Sequence, residues 1–147
     1  MMGYGFVYVL RNEYLPGIYK IGMTRRDPGQ RCVEVSSATG VPDAFEIVCC
    51  GNVRNPYQFE REVHEAFSNC RVSRRREFFR LHDFYAMEVG LMIQDRALRD
   101  TGQFFDGGLD EIARRHRKNQ MDAEADYFSR CNWLDKRADV IAKGCPQ

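Results

Sequence analysis

Over the first eighty residues the apolar positions come in short runs rather than in long helical stripes. "GFVYVL" at 5–10 and "IYKIGM" at 18–23 are rich in β-branched and aromatic residues, and Asn12 to Gly17, with Pro16-Gly17, interrupts the chain between them. Two such runs around a turn-forming break predict antiparallel strands joined by a short turn. "FEIVCCGNV" at 45–53 alternates poorly, as a strand buried on both faces does, and "REFFRL" at 76–81 offers a further short strand.

Helical signals fill the intervals. In "RDPGQRCVEVSSATG", Asp27 can accept hydrogen bonds as an N-cap, Pro28 takes the first helical position and Gly40 ends the run, which predicts a helix of about three turns. "NPYQFEREVHEAFSNC" opens on Asn55-Pro56 and sets Phe59, Val63 and Phe67 on one stripe, with Glu60 and His64 on the stripe beside it, at the edge of the buried face. From His82 to Asp100 the pattern is again helical, with Phe84, Met87, Val89, Leu91, Met92 and Leu98 as expected core positions. "TGQFFDGG" at 101–108 breaks it, and 109–142 reads as mostly helical, including Trp133 and Ile141. The expected architecture is α/β: a small, mainly antiparallel three-stranded sheet flanked by helices over 1–81, followed by a helical extension over 82–147.

Composition narrows the function classes. A chain of 147 residues with 44% apolar content suits one compact domain with a helical appendage. The six cysteines, Cys32, Cys49, Cys50, Cys70, Cys131 and Cys145, form no CxxC pair, so neither a zinc site nor a redox motif is indicated. Arg11 interrupts the N-terminal apolar run, no basic segment precedes it, and no stretch is long enough to span a bilayer. A cytoplasmic protein without membrane contact is expected. Net charge is only +1, but residues 1–81 carry 12 Lys and Arg against 9 Asp and Glu, a local +3. Arg71, Arg74, Arg75, Arg76 and Arg80 concentrate that excess in one segment, a source of positive potential suited to a phosphate backbone or to simple solvation.

The order Phe6-Val7-Tyr8, Lys20-Ile21-Gly22, Arg31 in the first predicted helix and Glu60 in the second resembles the GIY-YIG endonuclease superfamily. With "PGIYKIGMT", "TGVP" and "REFF" added, the chain is most similar to the phage orf172-type branch over residues 5–81. In that branch the second strand begins with Pro-Gly. The literal Gly17-Ile18-Tyr19 therefore leads into the second motif, and Phe6-Val7-Tyr8 stands for the first. Strand alternation agrees: Tyr19 must face away from Lys20 and is expected in the core.

The resemblance implies a metal-dependent DNA endonuclease that hydrolyses phosphodiesters to 3′-hydroxyl and 5′-phosphate ends. Its implied catalytic set is Tyr8 as general base or as the group positioning it, Lys20 where the family name has tyrosine, Arg31 toward the scissile phosphate, Glu60 and His64. An ammonium beside Tyr8 would favour the phenolate. Glu60 would hold the divalent metal, Mg2+ or Mn2+, with Glu77 as the rival carboxylate under another helix register. Arg71, Arg74, Arg75 and Arg76 are the expected DNA-binding residues. Val35 stands where many members carry histidine, and their asparagine has no counterpart in "REFFRL". DNA is the expected partner, with a homodimer through the C-terminal helices, where Leu91, Phe104, Phe105 and Trp133 offer apolar contacts. The alternative is a catalytically weak or inactive module that binds nucleic acid or protein.

Overall fold

The computed structural model describes residues 3–37, 44–73 and 77–144, with side chains as far as Cys131. Its elements run β1 (Tyr4–Arg11), β2 (Ile18–Thr24), α1 (Pro28–Ser36), β3 (Glu46–Arg54), α2 (Pro56–Ala66), β4 (Phe78–Arg80), α3 (Asp83–Asp100), β5 (Phe104–Asp106) and α4 (Leu109–Gly144), with a short 3-10 turn at Ser68–Cys70. The strands form one antiparallel sheet ordered β4-β2-β1-β3-β5. The three expected strands are its centre, and two strands of three residues each extend its edges.

The β1–β2 hairpin sets the register on which the site depends. Tyr8 lies opposite Gly22 and Leu10 opposite Lys20. Between the strands, Asn12 accepts the Tyr14 amide on its side chain, and Gly17 adopts φ 77, a left-handed conformation that costs glycine little. Alternation then divides the side chains. Val7, Val9, Tyr19 and Ile21 join Phe59 and Val63 of α2 and Val89, Ile93 and Ala97 of α3 in the main core. Tyr8 and Leu10 pack on the other side with Cys32 of α1, Phe45 and Cys50. Tyr19 is buried, as its alternation requires.

Both early helices begin on proline, but their starts are held by different means. Asp27 caps α1, accepting the Gln30 amide at 3.3 Å. Asn55 takes a left-handed φ of 55 and makes no side-chain cap; its side-chain Nδ2 instead donates to Gln58 Oε1 at 2.9 Å. The expected helix end at Gly40 lies outside the described residues.

Beyond residue 81 the apolar pattern finds the buried face of α3 only in part: Val89 is buried and Met87 and Met92 pack against the core, as expected. The buried stripe of the helix is Ala86, Val89, Gly90, Ile93 and Ala97, whereas Phe84, Leu91 and Leu98 are about half exposed. Small residues let the helix lie close to the sheet: a Cβ on Gly51 would stand 2.7 Å from Ala97 Cβ. Close approach, rather than side-chain size, selects this face. The segment expected only to break the helix also contains β5, paired to β3 through Phe104, Phe105 and Asp106. Contacts gather Met1–Ala113 into one compact unit and Arg114–Gln147 into a second. Within the first, Ile112 at the start of α4 is fully buried. The second is the continuation of α4, whose described side chains are exposed apart from the partly covered His116 and Cys131.

Candidate active site

The site lies along the outer edge of β2, where β4 stops pairing. β4 covers β2 only from Ile18 to Lys20. One step further, the Ile21 amide donates to the Glu77 carbonyl at 3.1 Å, and His64 Nε2 donates to the Ile21 carbonyl at 2.8 Å. A carbonyl can only accept, so Nε2 carries the imidazole proton. His64 thereby ties α2 to the strand edge, and its ring packs 5.0 Å from that of Phe79.

Tyr8 reaches this edge from β1. Its ring lies across Gly22, where a Cβ would fall 2.5 Å from the Tyr8 hydroxyl, so only glycine fits at this second-motif position. The Arg31 guanidinium, from the first turn of α1, donates to that hydroxyl and also binds Glu34 Oε2 at 3.1 Å. Burial lifts the phenol above its ordinary value of 10.0, while the hydrogen bond and charge of Arg31 pull it down. The cation against Tyr8 is thus Arg31. Lys20, expected in that role, pairs with Glu77 Oε2 at 3.0 Å.

Glu60 rises from α2 into the same region, and only 8% of its surface is exposed. Burial, and then the charge and hydrogen bond of Glu77, push its pKa to about 8, against smaller pulls from Lys20 and Arg71. The Glu60 and Glu77 carboxyls share a hydrogen bond, and Glu60 Oε1 stands 3.6 Å from His64 Nε2. Burial holds His64 below its usual pKa, so the imidazole is neutral at pH 7. Arg71 stacks 5.7 Å over the Phe79 ring and donates to the Ser73 carbonyl at 3.0 Å.

Tyr8 of β1 and Arg31 of α1 thus form one bonded pair, and Lys20 of β2 with Glu60 and His64 of α2 gather round Glu77. The charges of Glu77 and Glu60 act on Tyr8, and that of Arg71, from the segment leading to β4, acts on Glu60 and His64. Arg74, Arg75 and Arg76 lie outside the described residues. Residues 5–94 match the T5orf172 domain. The chain belongs to the T5orf172 domain family, a GIY-YIG-related phage domain. Comparison with curated proteins and with solved structures gave no match.

The T5orf172 match spans β1 to α3 and contains every member of the cluster. Among the described residues no group of three or more His, Cys, Asp and Glu side chains forms a metal cage. Mg2+ needs no such cage; one or two carboxylates with waters and phosphate oxygens suffice. Glu60 fits that requirement, because a nearby carboxylate that now shares its proton would favour a cation in the proton's place. Sequence reasoning named Glu77 only as a rival metal carboxylate, and it missed two features of this candidate site. Glu77 is its hub, yet it lies 57 residues from Lys20, so no local pattern reveals the pairing. The demand on Gly22 was legible only as a motif letter. No helix among the described residues is long and apolar enough to cross a membrane.

Proposed function

We propose that this protein is a metal-dependent DNA endonuclease that hydrolyses phosphodiester bonds. The observation that carries this reading is the meeting of a phenol, a guanidinium, an ammonium and a carboxyl from four elements of a T5orf172 domain. Phosphodiester hydrolysis needs a positioned nucleophile, counter-charge for the transition state and stabilisation of the leaving oxygen. A bound Mg2+ or Mn2+ supplies Lewis acidity and makes water a stronger acid.

The chain's own groups supply the rest. Tyr8 is 1% exposed and capped by Arg31, so a phosphate reaches it only by drawing Arg31 away. The guanidinium then binds the phosphate oxygens bidentately, and the uncovered Tyr8 hydroxyl orients the attacking water. Lys20 contributes a second positive charge, and ionised Glu60 holds the cation. His64 fixes α2 against β2, with Nδ1 free to accept. Arg71, Arg74, Arg75 and Arg76 track the neighbouring backbone. DNA is the substrate, and the exposed Leu91 and Phe105 offer contacts for a homodimer that would cut both strands. Free Cys32, Cys49, Cys50, Cys70 and Cys131 accord with a cytoplasmic setting.

Plasmid nicking with Mg2+ or Mn2+ tests the proposal. Wild type converts supercoiled to open-circular DNA, and Tyr8→Phe, Arg31→Ala and Glu60→Ala each slow nicking by about 100-fold or more while retaining DNA binding. Equal inertness of all four proteins would reject the enzyme. A second reading, a catalytically weak nucleic-acid-binding module, is favoured by the burial of Tyr8 and the raised pKa of its phenol. It gains if wild type binds DNA and never nicks it.

A further inference from the structure

Glu77 is held in place through its backbone, while its side chain is 39% exposed. Its carbonyl accepts the Ile21 amide at 3.1 Å, the next residue pairs with Lys20 in the sheet, and Phe79 beyond it is fully buried. From this fixed point its carboxylate makes two bonds to groups of the proposed site: Lys20 Nζ at 3.0 Å and the Glu60 carboxyl. Lys20 is also confined. Its side chain is 13% exposed, against 60% and 68% for Arg26 and Arg99 in pairs on the surface, and its ammonium lies 5.4 Å over the Phe78 ring.

We propose that Glu77 is a positioning residue that keeps the Lys20 ammonium off Glu60, leaving the Glu60 carboxylate for the cation and the ammonium for phosphate. Lysine is a point charge on a flexible four-carbon stem and goes to the nearest carboxylate. Lys20 already feels Glu60, so without the Glu77 charge it would pair there and compete with the metal. In this role Glu77 serves Lys20, whose ammonium donates to its Oε2 at 3.0 Å.

This inference rests on the nuclease reading, and Glu77→Gln, which preserves size and the backbone bond to Ile21, separates the two. The variant should melt within a few degrees of wild type, lose about 10-fold or more in kcat with KM for DNA unchanged, and need several-fold more Mn2+ for half-maximal rate. Glu77→Asp, which keeps the charge, should recover part of each loss. Zero-length carbodiimide coupling and peptide mapping provide a readout independent of nicking: Lys20 links to Glu77 in wild type and to Glu60 in Glu77→Gln. Wild-type kcat and Mn2+ requirement in Glu77→Gln would overturn the inference, as would the absence of a Lys20–Glu60 link in that variant. A wild type that never nicks would reject the nuclease while the coupling result still decides the role of Glu77.

Discussion

Glu60 carries the pH behaviour of the site. In the unfolded chain its carboxyl ionises near 4.5, whereas in the folded protein burial and Glu77 hold the proton to about pH 8. The native state therefore binds more protons than the unfolded state between these values, and stability falls as pH rises through that window. His64 shifts the other way, downward from 6.5, so its stabilisation is lost only as pH falls below 6.5. Between pH 6.5 and 8 the slope thus belongs to Glu60. Thermal melts without divalent metal should show Tm declining over that interval, and Glu60→Gln should flatten the curve and gain about 1–2 kcal/mol at pH 8. Mn2+ should raise the wild-type Tm at pH 8, since a ligand of the native state alone stabilises it. Gly22 offers a second test at this scale. Gly22→Ala drives a methyl into the Tyr8 hydroxyl, and with the ring buried the expected cost is about 1–3 kcal/mol together with loss of nicking.

Among the elements, α1 and α2 were legible because their signals are local. Asp27-Pro28 and Asn55-Pro56 mark the starts, and Phe59 and Val63 mark the buried face. In α3 hydrophobicity points to Phe84, Leu91 and Leu98, while packing selects Ala86, Gly90 and Ala97, because the distance between helix and sheet is a tertiary quantity. Substitution should separate these faces. Ala97→Leu must push against Gly51 and is expected to cost about 1–3 kcal/mol in urea denaturation, whereas Leu91→Ser should fall within about 0.5 kcal/mol of wild type. β5 was not legible: three residues have no periodicity to show, and their pairing with Cys49, Cys50 and Gly51 of β3 is long-range.

For the whole molecule, the compact unit ends at Ala113 rather than near the last family motif. α3 buries Val89, Ile93 and Ala97 in the main core, and Ile112 closes it. A chain ending at Ala113 should keep a cooperative melt, while one ending at Leu81 should lose it; circular dichroism on heating distinguishes them. DNA binding through Arg31, Arg71 and the 74–76 arginines should weaken steeply with salt as counterions return to the phosphates, and a flat log–log plot would remove the arginines from the interface.

Local patterning in the chain determined the three central strands, the starts of both early helices, the inward turn of Tyr19 and the order of the family residues, because strand alternation, proline and caps act over a few positions. Tertiary structure decided the rest: that Arg31, not Lys20, covers Tyr8, that Glu77 joins Lys20 to Glu60, and that α3 turns its small residues to the sheet. Charges dozens of residues apart choose partners by distance and burial, and the chain fixes both only when the sheet edge and its helices come together.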